Sequence, residues 1–598
     1  MKLRRLYSNQ LDLFAPIEFN SGLSAVLAEI RVPENQMLDT HNLGKTTVGE
    51  LIDFCLLKGK SSSFFLFKHA DRFAQFTFYL EVELADDTYL TIARPVDPGS
   101  KVDLLRSDTP LDDVTTVGID QWDHVGLAFH RAKRLLNGIF DFERLQPWPY
   151  RKLAGYLIRS QRDYLDVFQL GKFSGKHQDW KPFVAHLLGL EAQPVIELYA
   201  KREEHTIAEN RLKELTREWG GEEVDVSLID GLIAVKRREA DAKTQVLENF
   251  QFGEEDRRRT AEVVEQTEAQ ITSLNEEVYQ LTQLITRIEE SLSEQQILFK
   301  PAAAERLFAE AGIVLGTQIR RDYEQLIAFN HAISAERREA LLSQQKHAGT
   351  RVDEITTKLR ELNQSRTESL EFLRESDSLA KFRELSRELS SDQAELATLD
   401  ARRSAATRLM DLRRENRALS EECGRLITVV EAEIETVSQD ESSRFAQLRR
   451  FFTEIVHEVL GQDAVLAIRM NNAGGLDFTA EFIGDSGTAT SGDHGTSYKK
   501  LLCIAFDLAL LRSNLDVSFP RFVYHDGALE QLEPRKRERL IGVLRDYADL
   551  GIQPIISLLN TDLPSPVGTS PDTLTQDEIV SLLHDEGDDG RLFKMASW

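Results

Sequence analysis

Three consecutive residues near the N-terminus, Gly44, Lys45 and Thr46, have the chemistry needed to bind a phosphate group. They follow a predicted strand and open a predicted helix. A phosphate loop uses backbone N–H groups at a helix N-terminus, a lysine that reaches the β- and γ-phosphates, and a hydroxyl that holds Mg²⁺. Asp39 stands where the first glycine of the GxxxxGK[ST] pattern belongs. On this motif alone, nucleotide binding and an exposed helix start remain equally open.

A second group of candidate residues lies close to the other end of the chain. A short predicted strand over 521–526 ends in Asp526, and such a strand can present a carboxylate to Mg²⁺ beside a phosphate loop. Two more carboxylates, Glu530 and Glu533, follow shortly afterwards. Taken alone, Asp526 is more commonly a turn residue at a strand end. A metal site therefore requires that the two chain ends meet.

A loop rich in Gly and Ser, residues 490–497, precedes a predicted helix over 498–511. The loop contains Ser491, Gly492, Gly495 and Thr496, and it would form a second helix N-terminus suited to an anion. A flexible connector is the alternative interpretation. The order of all these parts along the chain favours the anion site.

The rest of the chain must bring these segments together, and its composition excludes several classes of protein. It has 598 residues, a formal net charge of −26 and few Gly or Pro residues, which excludes collagen-like and low-complexity classes. Three cysteines, none in a CxxC pair, argue against a disulfide framework or a structural zinc site and favour a reducing cytoplasm. The longest apolar run, 501–511, is interrupted by Asp507 and is too short to span a membrane, so we expect no membrane partner.

The middle of the chain predicts a long coiled coil. Seven apolar residues follow a strict 3-4 spacing, which is the seam of a left-handed coiled coil. The spacing resumes between Val352 and Leu362, and a Phe-Lys-Pro sequence at 299–301 separates the two stretches. Two arms joined by a small cap predict an antiparallel helical hairpin, with a bundle of amphipathic helices as the alternative. The seam residues are Ile271, Leu274, Val278, Leu281, Ile285, Ile288 and Leu292.

These patterns divide the chain into five segments. Because a hairpin returns the chain to its starting point, the two globular pieces can form one composite domain. The end of the chain, Glu578 to Lys594 with a turn at Asp589-Gly590, predicts a terminal β-hairpin that completes a sheet. The segments are 1–195 and 446–598 (the two halves of the globular head), 196–298 (ascending arm), 299–345 (helical apex) and 346–445 (descending arm).

Taken together, this layout resembles that of the SMC-like ABC ATPases. The stretches 41–47 and 524–527 resemble most the short YydD-like branch, which is associated with ABC-three-component systems. The resemblance implies an α/β ABC-type ATPase head, a mixed sheet with a P-loop built from both chain ends, and a long antiparallel coiled-coil hairpin. It also implies ATP and Mg²⁺ as cofactors and a homodimer in which ATP joins two heads.

The resemblance further implies roles for individual residues. Lys45 and the Gly44 backbone would hold the phosphates of ATP, and Thr46 with Asp526 would hold Mg²⁺. Gln161 would lie in the loop that senses Mg²⁺ and water, and the Gly/Ser loop would contact ATP bound to a second head. The nucleotide-binding residues implied are Asn42, Gly44, Lys45, Thr46, Thr47, Gln161, Ser491, Gly492, Gly495 and Thr496.

Three departures from the family pattern predict slow hydrolysis. Gly527 stands where the family has the glutamate that orients the attacking water, Asn560 stands where a switch histidine is expected, and the signature is not SGG. Glu530 is the candidate replacement for the missing base, and Glu533 stands where the family has its D-loop. The catalytic candidates are therefore Asp526, Glu530 and Glu533.

The implied function is that of a slow ATPase that gates a complex acting on double-stranded DNA, in anti-phage defence or DNA handling, with accessory or effector subunits. A DNA surface would be lined by basic residues near the head: Lys2, Arg4, Arg5, Arg449 and Arg450. The alternative is that these basic runs are simply solvated, as they usually are on a coiled coil. A structural coiled-coil scaffold, whose degenerate nucleotide-binding head recruits an effector, is the alternative.

Overall fold

The chain divides into two compact units. The globular unit consists of Met1–Glu204 and Leu419–Trp598, and the helical unit consists of His205–Ala418. The globular unit is therefore built from both ends of the chain, as the sequence predicts. The computed structural model describes residues 1–35, 43–97, 99–171, 175–218, 225–250, 255–294, 317–371, 377–483 and 496–596.

Strands from both chain ends form the sheets of the globular unit. In chain order they are β1 (Lys2–Ser8), β2 (Ile17–Glu18), β3 (Ser24–Glu29), β4 (Thr77–Glu83), β5 (Tyr89–Pro95), β6 (Lys101–Ser107), β7 (His124–Ala128), β8 (Ile158–Arg159), β9 (Ala464–Met470), β10 (Leu476–Phe482), β11 (Phe522–Asp526), β12 (Gln553–Leu559) and β13 (Ile579–His584). An antiparallel sheet has the order β2-β1-β4-β5-β6-β7, and a parallel sheet has the order β13-β3-β12-β11-β8. Strands β9 and β10 form a separate antiparallel pair.

The parallel sheet joins the two chain ends directly. Strand β3 lies between β12 and β13, with Leu27 opposite both Leu558 and Leu582. Strands β3, β11 and β12 are almost continuously buried, as expected for parallel strands covered on both faces. The predicted terminal hairpin is wrong, because β13 pairs in parallel with β3 and residues 588–590 form a 3₁₀ turn. The partner of β13 comes from the other chain end, so local turn signals could not indicate it.

Helices cover the parallel sheet and make up nearly all of the described part of the helical unit. Apolar residues of α1, α12, α13 and α14 join those of both sheets in one core. No described helix is long and apolar enough to cross a membrane. The α-helices are α1 (Lys45–Cys55), α2 (Phe65–Lys68), α3 (Ala70–Phe73), α4 (Phe129–Phe140), α5 (Tyr150–Leu157), α6 (His177–Leu187), α7 (Ala192–Glu218), α8 (Val226–Glu248), α9 (Glu255–Glu294), α10 (Thr317–Glu371), α11 (Asp377–Gln439), α12 (Arg444–Leu460), α13 (Thr496–Arg512) and α14 (Pro534–Asp549).

Helices α9 and α10 of the helical unit run antiparallel. Gln345 contacts Glu289, whereas Arg366, further along α10, contacts Glu268, earlier along α9. Residues 299–316 of the predicted apex lie outside the described residues. From Thr317 to residue 345 the chain belongs to the continuous helix α10.

The predicted coiled-coil seam is the inward face of α9. Ile271 and Ile288 are buried, and the other five seam residues are partly buried. On α10, Ile355 is buried, and the spaced residues Val352 and Leu359 are partly buried. The 3-4 spacing therefore identified the residues that pack between these helices.

Candidate functional site

The N-terminus of α1 packs against the parallel strand β11. The Tyr524 hydroxyl donates a hydrogen bond of 2.7 Å to the carbonyl oxygen of Lys45. Gly49 faces the ring of Tyr524, and a Cβ at position 49 would come within 2.5 Å of that ring. A larger residue would therefore push α1 away from the sheet. The carboxyl edge of a parallel sheet is where α/β proteins bind ligands.

Gly44 makes the turn that starts α1. Its φ of 98° lies in the left-handed region, which glycine adopts without the strain of a side chain. Its carbonyl oxygen accepts a hydrogen bond of 3.0 Å from the N–H of Thr47. Backbone N–H groups at a helix start lack partners within the helix, so this turn can offer donors to an anion. The predicted loop residue Asn42 lies outside the described residues.

Asp526 provides a fully buried carboxylate at the end of β11. Its Oδ1 accepts a hydrogen bond from the Ser557 hydroxyl, and its Oδ2 has no hydrogen-bond partner among the described residues. Burial raises the pKa of Asp526, although the Ser557 and Thr46 side chains and the charge of Lys45 act to lower it. A buried carboxylate oxygen without a donor, near a threonine hydroxyl, fits a divalent cation that takes oxygen ligands.

Glu530 holds the lysine of the predicted phosphate loop. Its Oε1 lies 2.7 Å from Lys45 Nζ, and Gln161 Nε2 donates to the two carboxylate oxygens at 2.9 and 3.1 Å. Lys500 Nζ lies 3.6 Å from Oε2. Three of the predicted site residues, Lys45, Gln161 and Glu530, thus meet although they come from distant segments.

The absence of a side chain at Gly527 leaves room for the Glu530 carboxylate beside Lys45. Gly527 has a φ of 65°, and a Cβ added to it would lie 2.6 to 2.7 Å from the carboxyl carbon and both oxygens of Glu530. The Glu530 carboxylate therefore fills the space into which a side chain at 527 would project. Lys500 Nζ donates to the Gly527 carbonyl oxygen at 2.7 Å and so holds the turn between the two residues.

Glu533 does not join the cluster of Lys45, Gln161 and Glu530. Asp562, which the sequence analysis did not single out, lies close enough to interact with the cluster electrostatically. Glu533 precedes α14, its side chain is 74% exposed, and its carboxylate pairs with Lys536 at 3.2 Å. Burial raises the pKa of Asp562, and the charge of Glu530 raises it further while Lys45 lowers it. Asp562 is therefore within the electrostatic range of the Lys45–Glu530 pair.

A buried ionic network links three elements around the site, and sequence analysis missed it. Arg159 at the end of β8 donates two hydrogen bonds to Asp507 of α13, at 2.6 and 2.9 Å, and His525 of β11 contacts the same carboxylate at 3.1 Å. Burial lowers the pKa of His525. Arg159 also donates to the carbonyl oxygens of residues 163, 166 and 167, so it holds the loop that follows Gln161. The available signal was Asp507 inside an apolar run, because a buried charge needs a partner.

The predicted contact with a second head rests on the Gly/Ser loop. Ser491, Gly492 and Gly495 lie outside the described residues, and Thr496 is the first residue of α13. Their role therefore stays a prediction.

A family model matches the C-terminal part of the chain. Its description is "Uncharacterised protein conserved in bacteria (DUF2326)", and it covers residues 455–597. This span includes Asp526 and Glu530 but not Lys45. No curated protein matches the chain.

Three solved structures align with most of the chain. The Smc head domain with a coiled coil and joint from Pyrococcus yayanosii aligns over 93% of this chain and 92% of its own, with 14% identity and a TM-score of 0.33. The Smc head domain from Pyrococcus furiosus, with an extended coiled coil and bound to the C-terminal domain of ScpA, covers 94% and 90%, with 12% identity and a TM-score of 0.30. An SmcHead bound to the C-winged helix domain of ScpA covers 94% and 91%, with 8% identity and a TM-score of 0.32. At these identities and TM-scores, the alignments assign no function to this chain.

Proposed function

We propose that this chain is an SMC-like ATP-binding protein whose head binds ATP with Mg²⁺ and hydrolyses it slowly. The observation that supports this proposal is the meeting of Lys45 and Thr46 with Asp526 and Glu530, since Lys45 and Glu530 are 485 residues apart in the sequence. A lysine, a hydroxyl and a carboxylate at a helix N-terminus are the groups that phosphoryl-transfer sites use to hold a nucleotide and its metal.

A triphosphate must displace Glu530 from Lys45 in order to bind. The phosphates carry several anionic oxygens, so the Lys45 ammonium would exchange one carboxylate for stronger charge-assisted hydrogen bonds. Glu530 would remain beside Gln161 and Lys500, in the space of the missing side chain at 527. There its carboxylate can accept a proton from an attacking water molecule.

Thr46 and Asp526 would hold Mg²⁺. The ion would supply neutralisation of charge on the phosphate oxygens. The free Oδ2 of Asp526 and the nearby Thr46 hydroxyl contribute two oxygen ligands, which suits an ion that takes few protein ligands and completes its shell with phosphate and water.

Glu530 has two uses in this proposal, and the first of them weakens ATP binding. The same carboxylate neutralises Lys45 before nucleotide binds and is needed as a base afterwards. Part of the binding free energy of ATP is therefore consumed in separating the pair, which lowers the affinity for ATP. Slow turnover is expected from the missing glutamate at 527.

A coiled-coil scaffold with a degenerate nucleotide-binding head is the second candidate, and the Lys45–Glu530 pair favours it. If Glu530 stays on Lys45, the lysine does not reach the β- and γ-phosphates, so such a head would not turn ATP over usefully and would serve to recruit an effector subunit. Phosphate release at saturating ATP separates the two candidates.

We further propose that ATP joins two heads and that accessory or effector subunits complete an anti-phage defence or DNA-handling complex on double-stranded DNA. Three of the basic residues considered for DNA contact form ion pairs within the globular unit: Arg4 pairs with Glu81, Arg5 with Glu18 and Arg450 with Glu454. Duplex DNA binding that fails to weaken as salt increases would contradict an electrostatic DNA surface.

The test of the nucleotide site is titration calorimetry with ATP in the presence and absence of Mg²⁺. Lys45→Ala should lose ATP binding, and Asp526→Asn should lose its dependence on Mg²⁺. Lys58→Ala is the matched control, because Lys58 pairs with Asp53 near the other end of α1. Failure of the wild-type chain to bind ATP, or wild-type affinity in Lys45→Ala, would refute the proposal.

A further inference from the structure

The C-terminal segment of the chain packs on the phosphate-loop glycine. The N–H of Leu592 donates a hydrogen bond of 3.0 Å to the carbonyl oxygen of Leu43. A Cβ added to Gly44 would lie 2.6 Å from the Cβ of Leu592 and 3.3 Å from its Cδ2. Leu592 is 5% exposed, so its side chain fills the space directly outside the Gly44 turn.

The neighbouring residues anchor this segment firmly. The N–H of Lys594 donates to the carbonyl oxygen of Leu13 at 2.9 Å, and Arg72 donates to the carbonyl oxygen of Ala596 at 2.9 Å. The ring of Phe593 is buried in an aromatic cluster, with ring centroids 5.0 to 6.2 Å away. Its partners are Phe14, Phe65, Phe73, Phe76 and Phe78.

We propose that this C-terminal segment, residues 591–596, belongs to the nucleotide site and that Leu592 is a positioning residue for the phosphate loop. Glycine populates many backbone conformations, so Gly44 by itself does not hold the left-handed turn that aims the first N–H groups of α1. Leu592 restricts Gly44 from outside and fixes the Leu43 carbonyl. The loop is then preorganised, so ATP binding loses less conformational entropy in ordering it. This inference rests on the proposed function, because it assigns the ligand of the loop to ATP.

A matched pair of truncations separates positioning from ordinary core packing. Leu592→Ala removes the side chain that faces Gly44. Leu583→Ala is the control, because Leu583 is 4% exposed and pairs with Ala28 of β3 rather than with the loop. The two changes remove the same atoms at nearly equal burial, so they should lower the melting temperature to a similar extent.

The experiment combines Mg·ATP affinity by calorimetry with hydrogen–deuterium exchange of residues 43–48 in the absence of nucleotide. We expect Leu592→Ala to weaken Mg·ATP binding by about tenfold and to speed exchange of the loop, and Leu583→Ala to keep wild-type affinity and exchange. Wild-type loop exchange and affinity in Leu592→Ala would overturn the proposal, as would equal losses of affinity in both variants.

Failure of the proposed function gives a different result from failure of this inference. If the wild-type chain does not bind ATP, the proposed function fails, while the exchange comparison still measures whether Leu592 orders the loop. Should Leu592→Ala not fold, Leu592→Val makes a smaller truncation with the same expected direction in both measurements. Leu592→Met, which keeps most of the volume, should retain near wild-type affinity.

Discussion

Replacing Glu530 by glutamine should change ATP binding and ATP hydrolysis in opposite directions. The variant keeps the shape of the side chain and its contact with Gln161, but it removes the negative charge that faces Lys45. If Glu530 both neutralises Lys45 and acts as the base, the variant should bind ATP more tightly and hydrolyse it more slowly.

The size of the binding effect follows from the geometry of the pair. Lys45 and Glu530 are 2.7 Å apart, and their side chains are 17% and 20% exposed. Exposed pairs contribute about 0–1 kcal/mol, whereas breaking a buried pair costs about 3–5 kcal/mol. A value of about 1–2 kcal/mol lies between these limits and corresponds to a factor of about 5–30 in ATP affinity. Loss of the base should slow turnover by about 10²- to 10⁴-fold.

Calorimetry with ATP and a phosphate-release assay measure the two effects, and Glu533→Gln is the control. Glu533 is exposed and pairs with Lys536, so its variant should match wild type in both assays. Weaker ATP binding by Glu530→Gln, or equal loss of turnover in the two variants, would refute this assignment. Fast turnover that survives both substitutions would exclude either acid as the base.

Three further predictions concern the residues around the pair. Gly527→Ala should abolish turnover, because the added Cβ displaces the Glu530 carboxylate. It should also lower the free energy of unfolding by about 1–2 kcal/mol in urea titrations, because a side chain is strained at positive φ. Retained turnover would contradict this prediction. Asp526→Asn should raise the melting temperature at neutral pH, because burial of the charged form raises the pKa of Asp526 above its unfolded value. That penalty exists above the raised pKa and disappears as pH falls through it, so the difference from wild type should shrink on acidification, and an unchanged difference would contradict the assignment. Arg159→Met leaves the buried Asp507 charge with only its His525 contact and should lower the free energy of unfolding by about 3–5 kcal/mol. A loss within the range of a surface substitution would show that the Arg159–Asp507 pair is dispensable.

Local patterns in the sequence determined the elements and several of the groups that could carry chemistry. The seam from Ile271 to Leu292 can be predicted because its apolar residues recur with the helical period, and these residues are buried or partly buried on α9. The helix start at Gly44 and the strand that ends in Asp526 depend on residues that are neighbours along the chain. Such features need no knowledge of what packs against them.

Only the tertiary structure decided which of these groups meet. The sequence indicated Glu530 as the candidate base and placed Glu533 at the D-loop position, and in the structure Glu530 contacts Lys45, Gln161 and Lys500. Glu533 is exposed instead. The parallel pairing of β13 with β3, the Arg159–Asp507 pair and the contact of Leu592 with Gly44 also join residues hundreds of positions apart. Proximity of this kind is set by the packing of whole elements around one core, and no short stretch of sequence contains that information.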